Sequence, residues 1–236
     1  TVVLAVSAAL PGLAVYEMPI QTANEGESVY LFNADIDKPI LDQNAGQQRY
    51  IASLTKMMTA LLFLESGKDL NEEITIPTSL TQEFKDIQNA NGSTMNLRIG
   101  ETVRRIDLLY GLLVASANDA ASVIANDVAG SLPNFVAMMN QKAQELGCED
   151  THFANPNGLD APDHYSSAAD LAALGAYAME NPIFAKTVST KTVQAGGRAL
   201  RNHNKLLWLL PGAEGIKTGY TKAAGRILVS SAQRQG

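Results

Sequence analysis

Residues 51–64 read I-A-S-L-T-K-M-M-T-A-L-L-F-L, an apolar run of helical length whose only charged side chain is Lys56. A lysine in such a run either snorkels to the surface or is buried at a substantial desolvation cost. Ser53 precedes Lys56 by one turn. Positions i and i+3 share a helix face, so the spacing predicts hydroxyl and amine within hydrogen-bond reach. Desolvation lowers a lysine pKa and makes the amine a general base. A serine near a helix start also presents its N–H to an incoming oxyanion. This is what a serine nucleophile needs when no histidine serves it. A match to S-x-x-K arises by chance about once in a chain of this size, so the remainder of the chain has to decide.

Outward from this run, two strand pairs bracket a helical middle. Residues 28–32 (S-V-Y-L-F) and 39–42 (P-I-L-D) flank the turn-rich segment 33–38 and predict a hairpin. Residues 215–221 and 226–231 predict a second one. Between them, 104–114 is apolar nearly all round and predicts a buried helix. Helices are also predicted at 118–128, at 133–146 with proline in the first turn, and from a Ser167/Asp170 capping box to 179. Residues 74–77 are short and β-branched, 82–100 are polar and read as irregular, 155–158 (N-P-N-G) read as a turn, and 187–194 read as a strand. Strands, then helices, then strands predict an α+β fold whose antiparallel sheet is built from both chain ends.

Composition narrows the function. The 236 residues are 46% hydrophobic and 18% charged, which excludes a disordered or collagen-like chain. Net charge is −6 with no dense basic stretch, which argues against nucleic acid. The single cysteine, Cys148, excludes an internal disulfide and a multi-cysteine metal site, and reads as a small buried apolar residue. His152, His164 and His203 lack metal-ligand spacing, so no metal is expected. No apolar run reaches 18 residues. Residues 1–15 are uncharged, mostly Val, Leu and Ala, and broken by Pro11. They read as the core of an export signal without its basic start, with a buried strand or helix as the alternative. The expected division is a signal remnant or lead-in at 1–27 and one catalytic domain at 28–236. The strand-like run 226–233 is followed by only three residues, which leaves an uncovered edge and suggests C-terminal truncation.

Two further elements carry chemistry. Ser116-Ala117-Asn118 follows the apolar helix. A serine and an asparagine at i, i+2 between helices can face one cavity, the hydroxyl relaying a proton and the amide holding a carbonyl or orienting the lysine. The structural alternative is a helix cap formed by Asn118 and Asp119. Lys217-Thr218-Gly219 lies in G-I-K-T-G-Y-T. There the lysine attracts an anion, the threonine hydrogen-bonds a carboxylate, the glycine admits substrate to the backbone, and the Tyr220 N–H can donate to an oxyanion. The alternative is a lysine protecting an edge strand.

S-x-x-K, S-x-N and K-T-G, in that order and separated by 63 and 101 residues, are the signature of penicillin-recognising serine enzymes. From about Ser28 onward the chain resembles the low-molecular-mass penicillin-binding proteins, the serine-type D-alanyl-D-alanine carboxypeptidases. The supporting stretches are 52–59 (A-S-L-T-K-M-M-T), 92–101 (G-S-T-M-N-L-R-I-G-E), 108–121, 151–159 (T-H-F-A-N-P-N-G-L), 164–170 (H-Y-S-S-A-A-D) and 215–225. The resemblance implies Ser53 as the acylated nucleophile and Lys56 as its base. Ser116 and Asn118 would complete the proton network and position the substrate. Lys217, Thr218 and Gly219 would bind the carboxylate end, and the Ser53 and Tyr220 N–H groups would form the oxyanion hole. It further implies a peptidoglycan stem peptide ending in D-Ala-D-Ala as substrate, acylation by β-lactam antibiotics, no cofactor, and a place outside the cytoplasm, in the periplasm or cell-wall space. A DD-endopeptidase on the same site, or a non-catalytic binder of wall peptide, are the alternatives. No E-x-x-L-N occurs, which argues against a class A β-lactamase. Family members continue past the K-T-G hairpin with a strand between the N-terminal hairpin and 226–231, then a helix, and many add a β-rich domain and a membrane anchor.

Overall fold

The computed structural model describes residues 2–7, 25–36 and 38–234. Strands β1 (Val2–Ser7), β2 (Val29–Asn33) and β3 (Lys38–Gln43) come first. A 3₁₀ turn, Ala52–Thr55, runs directly into α1 (Lys56–Glu65). A small strand pair, β4 (Glu73–Thr75) and β5 (Thr102–Arg104), encloses α2 (Thr81–Asn89) in sequence. Helices α3 (Arg105–Val114), α4 (Asn118–Ala129) and α5 (Leu132–Glu145) follow, then α6 (Ala168–Met179) and α7 (Pro182–Ser189). The hairpin β6 (Thr192–Ala195) and β7 (Arg198–Arg201), the short α8 (Leu206–Leu209), and the hairpin β8 (Ala213–Thr221) and β9 (Gly225–Gln233) complete the order.

The main sheet runs β3-β2-β1-β9-β8, so both ends of the chain build it and the helices lie between them in sequence. The β2–β3 and β8–β9 pairs are antiparallel, as expected. β1 fills the slot between the two hairpins and is parallel to both neighbours, with Val2 opposite Val29 and Leu228. The edge expected to be open on 226–233 is therefore paired, and β3 and β8 are the edge strands. Of the proposed signal core, residues 8–15 lie outside the described residues.

α1 is buried around its whole circumference, from Met57 and Met58 to Phe63. It contacts α3, α4 and α6, and the small residues Ala120, Ala121 and Ala125 of α4 sit in the same core. α6 crosses the sheet through Gly175, where a Cβ would press on Val229 and Ile216. Its start follows half of the predicted capping box: Ser167 Oγ accepts the Asp170 N–H at 3.1 Å. The Asp170 carboxylate takes the Asp150 N–H and the Thr151 hydroxyl.

Two segments differ from expectation. Residues 81–89 form a helix with only Ile87 buried; the other face is solvated, so low hydrophobicity hid its period. The first part of 187–194 belongs to α7, which Asn181 caps by accepting the Ile183 and Phe184 N–H groups, with Pro182 at its first position. These start signals outweigh the β-propensity of Thr187 and Val188.

Candidate active site

Ser53 lies in the 3₁₀ turn and Lys56 opens α1, so a tight turn rather than a regular helix joins them. The turn is held in a strained form: Ala52 has φ +40°, uncommon for a residue with a Cβ. Two glycines make room for it. A Cβ on Gly158 would overlap the Ala52 carbonyl oxygen, and one on Gly219 would lie 3.2 Å from the Ser53 nitrogen. The N-P-N-G turn and the K-T-G strand thus close on the Ser53 backbone from two sides.

Lys56 is fully buried. Its Nζ lies 3.0 Å from Ser53 Oγ and 2.6 Å from Asn118 Oδ1, and it also bonds the Asn157 carbonyl oxygen. Burial holds its pKa well below the ordinary lysine value; Lys217 pushes the same way and Asp119 opposes. Lys217 Nζ donates to Ser116 Oγ and to the Thr218 carbonyl, each at 2.9 Å. Burial lowers Lys217 to about 7. Ser116 carries a positive φ of 59°, a second strained residue at the same locus. Tyr220, near the end of β8, has an exposed side chain.

The alternative cap reading fails in its details. Asn118 is spent on Lys56, and Ala117 occupies the cap position of α4. Asp119 instead accepts the Met95 N–H at 3.1 Å and the Leu97 N–H at 2.9 Å, tying the 92–97 loop to the start of α4. In that loop Gly92 lies against Asn118, whose amide a Cβ would strike, and the Ser93 carbonyl accepts the Asn118 N–H at 2.7 Å. Glu83, on the unexpected helix α2, bonds Ser122 Oγ at 2.8 Å and lies 3.4 Å from Asn157 Nδ2. The sequence assigned no role to the side chains of Asn157, Gly158 and Gly92, and to Asp119 only that of a helix cap. Their contributions are a carbonyl, two missing side chains and a backbone anchor; N-P-N-G was the one signal available.

A cavity of about 600 Å³ lined by Arg49, Tyr50, Tyr165 and Arg226, among others, includes none of these groups. Cys148 is buried and its thiol is pushed up to about 12 by burial, so it stays a thiol. No group of three or more His, Cys, Asp or Glu among the described residues could hold a metal ion. No helix among them is long and apolar enough to cross a membrane.

A serine, two buried lysines and an asparagine meet between an edge strand and a helix start, the arrangement the sequence resemblance implies. The family profile described as D-alanyl-D-alanine carboxypeptidase matches residues 17–236. The chain belongs to this family. It is 33% identical to the D-alanyl-D-alanine carboxypeptidase DacF of Bacillus subtilis, over 91% of this chain and 56% of that protein. It is 39% identical to DacA of Haemophilus influenzae, over 80% of this chain and 49% of that protein. The chain thus spans about half the length of these relatives. Among solved structures, a Streptomyces DD-transpeptidase superposes with a TM-score of 0.80 at 30% identity, covering 87% of this chain and 84% of that one. Penicillin-binding protein 6B of Escherichia coli superposes with a TM-score of 0.74 at 35% identity, covering 83% and 63%. The α+β fold of this family member is that of the penicillin-recognising DD-peptidases.

Proposed function

We propose that this chain is the catalytic domain of a serine D-Ala-D-Ala carboxypeptidase that works outside the cytoplasm on peptidoglycan stem peptides and is acylated by β-lactams. The observation that carries the reading is the valence of Lys56 Nζ. A neutral amine has two N–H bonds and one lone pair. Three acceptors surround Nζ, which donates to Asn118 Oδ1, to the Asn157 carbonyl and, at 3.0 Å, to Ser53 Oγ; in the neutral amine the first two take the two N–H bonds, and the lone pair can then receive the Ser53 proton. An ammonium would have no lone pair to offer, and burial beside Lys217 disfavours it.

In this reading Ser53 Oγ attacks the carbonyl of the penultimate D-alanine while its proton passes to Lys56. The oxyanion is received by the Ser53 and Tyr220 N–H groups. Ser116, bonded to Lys217, passes its proton to the leaving amine as the C–N bond breaks and is reprotonated by the Lys56 ammonium, so that terminal D-alanine departs and Lys56 is again a neutral amine. Lys217 and Thr218 hold the substrate carboxylate, and Gly219 lets the peptide approach β8. Water, activated by the same lysine, then cleaves the acyl ester and restores Ser53. The experiment is labelling with a fluorescent penicillin and mass spectrometry of the adduct. One acyl group on Ser53 is expected, and none in Ser53→Ala; a Ser→Ala change at such a nucleophile costs about a million-fold in kcat in a comparable hydrolase. An adduct on another residue overturns the assignment.

A further inference from the structure

His164 is a buried imidazole that the mechanism above does not use, and its bonding is one-sided. The Ala154 N–H donates to Nδ1 at 2.9 Å, so Nδ1 is an acceptor and the proton sits on Nε2. Nε2 lies 2.6 Å from Thr55 Oγ1 and donates to it. The Thr55 hydroxyl, its lone pair so occupied, donates to the Ala52 carbonyl at 2.8 Å. The chain therefore runs Ala154 N–H, imidazole, Thr55 hydroxyl, Ala52 carbonyl, with every donor and acceptor used once.

Its two ends are the two walls of the site. Ala52 is the strained residue before Ser53, and its carbonyl is the atom against which Gly158 packs. Ala154 opens the segment whose Pro156 carbonyl accepts from Thr59 at 2.6 Å and whose Asn157 carbonyl accepts from Lys56. We propose that His164 is a positioning residue for acylation: its imidazole clamps the Ala154–Gly158 segment to the Ser53 turn through Thr55, and so sets the Ser53 N–H and the Asn157 carbonyl relative to each other. The proposal rests on the reading of Ser53 as nucleophile and Lys56 as base. Both groups must be held to a fraction of an ångström, because a displacement of about 1 Å can cost roughly 100-fold in rate. The imidazole stays neutral in this role: burial lowers its pKa to about 4, with Lys56 and His152 adding to the effect and Asp163 opposing it.

Stopped-flow acylation by a fluorescent penicillin separates the dissociation constant of the encounter complex from the acylation rate constant. Thr55→Val and His164→Asn should lower the rate constant roughly 10- to 100-fold with the dissociation constant within about threefold. Asn keeps an acceptor for Ala154 but cannot reach Thr55. His164→Gln reaches Thr55 with its amide nitrogen, and Thr55→Ser keeps the hydroxyl; both should recover most of the rate. The double variant Thr55→Val with His164→Asn should be no slower than the slower single one, because both break one chain. A readout independent of turnover is the amide NMR shift of Ser53 and Gly158, moved by His164→Asn and restored by His164→Gln. A folded Thr55→Val protein with the wild-type rate and an unmoved Ser53 amide overturns the clamp. Wild-type protein that no penicillin acylates overturns the nucleophile reading instead, and the amide shifts still test the clamp.

Discussion

The two buried lysines should give acylation a bell-shaped pH profile, with its alkaline limb set by Lys217. Both amines are desolvated, and Lys56 carries the added repulsion of Lys217, so Lys56 loses its proton first. The productive form then has one proton in the pair: Lys56 neutral to take the Ser53 proton, Lys217 charged to meet a carboxylate. Lys217 titrates at about 7 in the free protein. Each pH unit above that reduces its ammonium roughly tenfold, worth about 1.4 kcal/mol, and at pH 9 about 1% remains. The second-order acylation constant of a penicillin with a free carboxylate should therefore fall roughly 50-fold between pH 7, where about half of the ammonium remains, and pH 9. The methyl ester of the same penicillin has no anion for Lys217 to meet and should lack this limb. Lys217→Arg, if it folds, should move the limb beyond pH 9, since guanidinium keeps its proton. The assay is stopped-flow acylation across pH 5–10 with both compounds. An alkaline limb of the same size for acid and ester, or a flat profile for the acid from 7 to 9, would refute the division of labour between the two lysines.

Other outcomes follow from the same geometry. Gly158→Ala should cut acylation by roughly 100-fold or more, because its Cβ displaces the Ala52–Ser53 peptide and its φ of +89° strains the new residue; rate constants of the folded protein check this. Asp119→Asn turns an amide N–H toward the Met95 or Leu97 N–H, which should cost about 2–3 kcal/mol and lower Tm by roughly 5–10 °C in a calorimetric scan. Because Asp119 also raises the pKa of Lys56, the same variant should shift the acid limb of acylation to lower pH. His164 binds its proton near 6.5 when unfolded but only at about 4 when folded, so this contribution to stability is present above pH 6.5 and lost as pH falls to 4. The loss is roughly 3 kcal/mol, and urea melts at pH 4.5 and 7 should show a smaller difference for His164→Gln than for wild type.

Sequence patterns carried the elements whose periodicity and start signals agree. α3 is apolar nearly all round beyond its first turn, α5 has Ser131 and a proline at its start, and the β8–β9 hairpin has a short turn between two β-branched runs. Conflicts between local signals produced the misses. α2 buries one residue, so amphipathicity was too weak to register, and α7 places β-branched residues behind a strong Asn-Pro start. The pairing of β1 had no local signature at all. An uncharged run of Val, Leu and Ala reads as an export signal or as a strand, and its residues 2–7 pair with β2 and β9.

In the site, the side chains were legible and their supports were not. Ser53, Lys56, Ser116, Asn118 and Lys217 are residue types that such chemistry demands, and the fold brings them together. The proposed base Lys56 owes its lowered pKa to burial and to Lys217, however, and its placement to a backbone carbonyl from Asn157 and the room that Gly158 and Gly219 leave beside the Ser53 turn. Backbone groups have no residue identity, so a reading by type passes over them. The strain is concentrated the same way: Ala52 and Ser116, both at positive φ, each adjoin or carry a group that must point into the cleft. The Ser53 N–H lies in the first turn, where no intrahelical carbonyl takes it. The 3₁₀ turn, bent at Ala52 and gripped through Thr55, keeps Ser53 Oγ 3.0 Å from the lysine. In the proposed mechanism, the stability given up in the turn is the cost of having nucleophile, base and oxyanion donor converge on one point before substrate arrives.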